Sequence, residues 1–171
     1  MMQPLVQIRD CQYTSDLAVI GGILNHEIQS STAIYEDQPK SHQEIDNWFV
    51  AKKAGQWPVR GAYDRHGKLL GFATFGAFRP QAAYRFTAEH SVYVAKEVRG
   101  QGVGTLLLSD IIERAKDAGL HLLIGCIDAD NAPSLALHQK LGFVHCGTVK
   151  KAGFKFDRWL DVAFVQKQLQ T

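Results

Sequence analysis

Charge of either sign is in short excess in this sequence of 171 residues: 19 Lys and Arg stand against 17 Asp and Glu, a formal net charge of +2. Without a basic stripe there is no electrostatic footprint for nucleic acid or an anionic membrane surface, and neither partner is expected. Cysteine is scarce as well. Cys11, Cys126 and Cys146 stand far apart in no metal-ligand spacing, so no metal is expected. An odd number of cysteines without an export signal fits reduced, buried thiols in the cytoplasm. The longest apolar run, Leu17 to Leu24, is broken by Gly21 and Gly22 and is far too short to span a bilayer. Met1-Met2-Gln3-Pro4 lacks the basic and apolar regions of a signal peptide. What is present is ordinary for a globular protein, 46% hydrophobic and 21% charged, so residues 1–171 read as one soluble domain able to bury a core.

Patterning predicts an alternation of strands and helices. Val6 to Arg9 alternates as a short strand, and Thr14-Ser15-Asp16 offers N-caps for a helix reaching about Ile28. Ser41 and Glu44 have capping-box spacing for a second helix that Gly55 ends. Val59–Tyr63 and Leu69–Phe78 flank the turn signal Asp64-Arg65-His66-Gly67 and predict a hairpin. Tyr84 to Ala95 reads as one long strand, with Arg85, Thr87, Glu89, Ser91 and Tyr93 on one face. Val103, Leu107, Leu108, Ile111, Ile112 and Ala115 recur at helical spacing. Leu120–Ile127 follows as a buried strand, then a helix from Asn131 to Leu141. Two last strands, about Phe143–Val149 and Trp159–Leu169, flank a turn region holding Gly147 and Gly153. The order is α/β in character (of the α+β type), with a mostly antiparallel sheet and one helical crossover.

Between the long strand and its following helix lies Arg99-Gly100-Gln101-Gly102-Val103-Gly104. Glycines bring a ligand close to the backbone and permit a turn that aims several N–H groups at one point. The helix N-terminus adds free donors and a partial positive charge, and Arg99 a full one, which together suit a pyrophosphate. A Walker loop does not fit, because Thr105 and Leu106 follow Gly104 where Lys-Ser/Thr is needed. A dinucleotide fingerprint does not fit either, since Gly100, Gly102 and Gly104 are two apart.

The segment resembles the acetyl-CoA motif of the GNAT superfamily of N-acetyltransferases, Arg/Gln-x-x-Gly-x-Gly/Ala, which Arg99, Gly102 and Gly104 fill. Asn131-Ala132-Pro133-Ser134 through His138 to Gly142-Phe143 resembles the superfamily's downstream helix. Within it the chain is similar to the phosphinothricin and methionine sulfoximine acetyltransferases. That similarity rests on Leu24-Asn25-His26, Ser31-Thr32-Ala33, Gly76-Ala77-Phe78-Arg79-Pro80, Glu89-His90-Ser91-Val92-Tyr93-Val94, Gly153-Phe154-Lys155 and Arg158-Trp159-Leu160-Asp161-Val162. The resemblance implies a GNAT fold, a sheet of about six to seven strands flanked by about four helices, and a homodimer. The activity it implies is direct acetyl transfer from acetyl-CoA to the amine of a small amino-acid analogue.

It also implies roles. Glu89 is the expected general base and His138 a candidate general acid. Val92, Tyr93 and Val94 offer main-chain groups to the pantetheine arm. Arg99 to Thr105, with Gly100, Gln101, Gly102, Val103 and Gly104 between, hold the diphosphate, and Asn131 and Ser134 contact the arm. Phe78, Arg79, Arg85, Thr87, Glu89 and His90 are the expected acceptor contacts, the arginines for an acidic group. Asn25, Ile28 and Tyr35 are expected to help wall that pocket, and Trp48, Phe49 and Trp57 to lie in the core.

Overall fold

The computed structural model describes residues 5–169, so the N-terminal reading of Met1 to Pro4 falls outside it. Its elements are β1 (Gln7–Asp10), α1 (Tyr13–Ser30), α2 (His42–Ala54), β2 (Val59–Tyr63), β3 (Leu69–Ala77), β4 (Thr87–Val94), α3 (Val103–Asp117), β5 (Leu122–Asp128), α4 (Ala132–Lys140), β6 (Val144–Lys155) and β7 (Arg158–Gln168). The seven strands form one sheet in the order β1-β2-β3-β4-β5-β7-β6. Only β4 and β5 are parallel, joined across α3; the other pairs are antiparallel.

Each face of the sheet buries its own apolar cluster. Leu107, Leu108, Ile111 and Ala115 of α3 are 0% exposed against Ala73, Ala88 and Leu123, with Leu135, Leu137 and Leu141 around α4 packed alongside. Burying each such leucine or isoleucine contributes about 1.5–3 kcal/mol. On the opposite face, Leu17, Ile20 and Leu24 of α1 and Ile45 and Phe49 of α2 pack on Tyr63, Leu69 and Phe72. Phe49 is in this core, while Trp48 and Trp57 are half-buried at the edges of the clusters. Arg60 fixes α3 to the sheet: Nε and Nη2 donate to both oxygens of Asp110 (2.7 and 3.1 Å), and Nη1 to Asp10 (2.7 Å).

Local signals hold at several ends. Ser41 and Glu44 form the full capping box, and the N–H of Gly55 bonds Ala51 O at the end of α2. At α1 the N-cap is Gln12, not one of the three residues expected; Asp16 instead accepts the Gln12 N–H at 2.6 Å from inside the helix.

Three expectations need correction. The run from Tyr84 to Ala95 is a strand only from Thr87 to Val94, because Ala82–Tyr84 is a 3₁₀ turn and Arg85 is helical (φ −57°, ψ −21°). Gly147 and Gly153 lie inside β6, at register shifts, and the turn is Phe156-Asp157. Both residues carry positive φ (52° and 56°), as a two-residue hairpin turn needs, without glycine. Finally, only Cys11 is buried; Cys126 and Cys146 are exposed. Asp157→Gly is expected to relieve the left-handed strain and stabilise the protein by about 1 kcal/mol, a rise in Tm of about 2–4 °C. Thermal unfolding followed by circular dichroism measures this.

Candidate active site

The site grows from a parting of two strands. β4 and β5 pair only through Thr87–Glu89 and Leu122–Ile124, yet β4 runs on to Val94 and β5 to Asp128. Each arm is braced by its outer neighbour, β3 for β4 and β7 for β5. Main-chain direction alternates along a strand. Ala95 N–H bonds Leu70 O, and Thr87 O accepts from Phe78 N–H, so the odd-numbered residues of β4 face β3. Val92 and Val94 therefore turn their N–H and C=O into the opening, and the Val94 carbonyl accepts from Arg99 Nε at 3.2 Å. Tyr93 directs its main chain to β3, opposite Phe72, and packs its ring against the Phe72 ring at 5.5 Å.

Two cavities meet at this opening. One, about 320 Å³, is bounded by Glu89 to Tyr93, Gly125 to Asp128, and the loop residues Ala33 to Tyr35. The other, a groove of about 520 Å³, runs over Val92 to Val94, Arg99, Gly100, Gly102 to Thr105 and Leu137. Asn131, Ser134 and His138 line both.

The groove runs over a glycine turn at a helix N-terminus, an arrangement suited to an anion. Gly100 and Gly102 have φ of +74° and +85° with open space where a Cβ would sit, so it is the backbone conformation that demands glycine there. Gly104 has a different role: a Cβ on it would lie 3.3 Å from Leu137, so its absence lets α3 approach α4. No side chain caps α3, whose first N–H groups are left for a ligand. Thr105 is half-buried on the groove wall. Arg99 stands at the groove with its guanidinium paired to Glu27 of α1, a buried carboxylate that also accepts from Ser31 Oγ at 2.6 Å. Gln101 turns back to Glu97 O (3.3 Å), away from the lining. Asn131 caps α4, accepting from Ser134 N–H at 3.2 Å.

The smaller cavity gathers a polar set. Glu89 is half-buried on its wall, and the thiol of Cys126 faces it. Although the residue as a whole is exposed, partial desolvation of its thiol and the Glu89 charge push it up to about 12, which favours the protonated form. Lys52 of α2 reaches over Gly76, which pairs with Glu89, and donates to Phe75 O at 3.0 Å. Burial lowers Lys52 to about 8, an effect that the Glu89 charge partly opposes. His90 and His138 are both 5% exposed and meet through Nε2 atoms 2.9 Å apart.

The rim is held by the last hairpin. Lys155, 3% exposed, donates to Ser31 O (2.8 Å) and Ile34 O (2.7 Å). The single hydroxyl hydrogen of Tyr35 is shared between Asp128 Oδ2 and Asp161 O, each 3.1 Å away, and its ring rests on Gly153, where a Cβ would sit 2.6 Å away.

Of the expected acceptor contacts, only Glu89 and His90 line this cavity, together with Tyr35. Phe78, Arg79, Arg85 and Thr87 are not among its lining residues. Arg79 stacks over Phe78 (5.1 Å), although its charge is felt at Cys126. Arg85 donates to Ala82 O (3.1 Å) and stacks over Phe86, because the 3₁₀ turn takes it out of register with Glu89. Asn25 clamps the Lys40 main chain (2.7 and 2.9 Å), and Ile28 is core. Sequence reasoning missed Lys52, Cys126, Glu27 and Lys155. Among the described residues no cluster of three or more potential metal ligands exists, and no helix is long and apolar enough to cross a membrane.

Comparison with known proteins identifies the family. Residues 23–143 match the model of the acetyltransferase (GNAT) family. The chain is 41% identical over 162 residues to an L-methionine sulfoximine/L-methionine sulfone acetyltransferase of Pseudomonas paraeruginosa, covering 95% of this chain and 94% of the relative. Its fold matches an N-acetyltransferase from Staphylococcus aureus Mu50 (TM-score 0.94, 42% identity, 96% and 99% covered). It also matches a phosphinothricin acetyltransferase from Sinorhizobium meliloti in complex with acetyl-CoA (TM-score 0.92, 37% identity, 96% and 88% covered). This chain belongs to the GNAT acetyltransferase family. It is an N-acetyltransferase that uses acetyl-CoA.

Replacing Lys155 by Met leaves two loop carbonyls without their donor, with an expected loss of about 1–3 kcal/mol. Faster amide hydrogen exchange across residues 31–35 is the accompanying local sign.

Proposed function

We propose that the chain, working as one domain over residues 1–171, acetylates the α-amino group of a small amino-acid analogue by direct attack in a ternary complex. Acceptors of the methionine sulfoximine, methionine sulfone and phosphinothricin type are the ones its relatives' names point to. The observation that carries this reading is the cavity of about 320 Å³ holding Glu89 and opening onto the groove, a volume suited to a single small molecule.

Roles follow from position. Glu89 takes the proton of the attacking nitrogen, directly or through water. Val92 and Val94 offer main-chain partners to the pantetheine arm, as a neighbouring strand does, and one such N–H steadies the thioester carbonyl oxygen as it gains charge. Tyr93 supports them from the β3 side. Gly100 to Thr105 receive the diphosphate at the α3 N-terminus, with Arg99 beside it. Asn131 and Ser134 border the arm, and His138, on the wall between the cavities, is the contact at the departing sulfur. Arg79, whose charge reaches the Cys126 thiol, is the arginine assigned to an acidic group on the acceptor.

The same reading includes a homodimer and a cytoplasmic setting. The β6–β7 hairpin leaves Phe154 (55%), Phe156 (52%) and Trp159 (60%) exposed together, which favours a partner on that face. Free Cys126 and Cys146 at the surface suit a reducing compartment.

Release of free CoA thiol across a panel of amines tests the acceptor. Turnover is expected with methionine sulfone or phosphinothricin and not with peptides; turnover on peptides alone overturns the assignment. Glu89→Gln is expected to lower kcat by about 10²–10⁴ while leaving acetyl-CoA binding, measured by calorimetry, unchanged.

A further inference from the structure

The carboxylate of Glu27 is divided between two segments that serve different cavities. Glu27 is 5% exposed in the last turn of α1 and lines the groove. Its Oε1 accepts from Arg99 Nη2, while Arg99 Nε donates to the Val94 carbonyl at 3.2 Å. The remaining guanidinium N–H groups are left for a ligand at the glycine turn. Oε2 accepts from the Ser31 hydroxyl at 2.6 Å, a closer acceptor than the Glu27 carbonyl at 3.1 Å. Ser31 Oγ in turn accepts the Ala33 N–H at 3.1 Å, and Ser31 O accepts from Lys155. Ala33 and Ile34 wall the smaller cavity, with Ala33 bordering the groove as well.

The end of α1 is already closed by the Ser31 N–H, which bonds Glu27 O at 3.0 Å and needs no side chain. What the carboxylate adds is a link from Arg99 to the loop. A buried carboxylate left without its cation is costly. With Arg99 gone, Glu27 relieves that cost by turning to the open groove and water, and in doing so releases Ser31. The loop then keeps its anchor at Lys155 but loses the bond that orients the Ser31 hydroxyl toward the Ala33 N–H.

We propose that Glu27 is a positioning residue through which Arg99, on the cofactor side, sets the loop that walls the acceptor cavity. It makes acceptor affinity depend on the arginine at the groove and takes no part in the bond-breaking step. This rests on the reading that the smaller cavity receives the acceptor.

Steady-state kinetics of the full chain with L-methionine sulfone and saturating acetyl-CoA tests the link. Ser31→Ala removes one hydrogen bond and is expected to raise the methionine sulfone KM about fivefold, with kcat and the acetyl-CoA KM changed by less than about twofold. Ser31→Thr keeps the hydroxyl and is expected to restore the methionine sulfone KM. Arg99→Ala is expected to raise both KM values in the wild-type background but only the acetyl-CoA KM in the Ser31→Ala background, because the two changes break one chain of contacts. A methionine sulfone KM that Arg99→Ala leaves unchanged, or raises equally in both backgrounds, overturns the proposal.

Amide hydrogen exchange at Ala33 reads the same link without turnover. Exchange there is expected to quicken in Arg99→Ala as it does in Ser31→Ala; an unchanged rate in Arg99→Ala overturns the proposal. If the wild type does not turn over methionine sulfone or any other small amine, the acceptor reading fails, while exchange at Ala33 still decides whether Arg99 sets the loop.

Discussion

Parallel pairing between β4 and β5 stops after Glu89 and Ile124, and the two cavities that Asn131, Ser134 and His138 share open where it stops. Backbone N–H and C=O groups need partners, and a strand that leaves its neighbour exposes a row of them. Here β3 and β7 keep the two arms extended on either side of the opening. An extended, amide-bearing ligand arm is the natural complement to such a notch. Both cavities border it, one of about 320 Å³ and one of about 520 Å³, with Asn131, Ser134 and His138 common to both.

The surroundings hold that notch open by packing and by charge. Gly125 and Gly104 admit close approaches of His90 and Leu137 that a side chain would prevent. Lys155 and Gly153 carry the far hairpin onto the loop at residues 31–35, so that the smaller cavity is walled by a segment braced from far along the sequence. The pair between Arg99 and the buried Glu27 ties the glycine turn to α1. A buried carboxylate left without its partner is costly, so this pair keeps the turn in place as well as supplying positive charge near the groove.

How legible was this in the sequence? The parts fixed by local chemistry were. The capping box of Ser41 and the glycine turn each depend on a few adjacent residues, and the α3 stripe on simple periodicity. Tyr84 to Arg85 alternate in polarity like a strand, yet their backbone is set by a turn that pattern alone does not reveal. The glycines at 147 and 153 drew the last turn to the wrong place, since Gly153 serves the Tyr35 ring and the true turn carries Phe156 and Asp157. Glu27 lines the groove, while Lys52 and Lys155 bond main-chain carbonyls around the site; all three come from separate elements, and local pattern does not reveal these roles. Glu89 and His138 came from resemblance to a family, not from their own surroundings.

Site-resolved amide hydrogen exchange, with and without CoA, tests the notch most directly. Tyr93 is already bonded to β3, whereas Val92 and Val94 face the opening, so strong new protection is expected at the two valines and little change at Tyr93. Unchanged exchange at both valines on saturation with CoA would contradict the account, because the ligand would then lie somewhere other than between the parted strands.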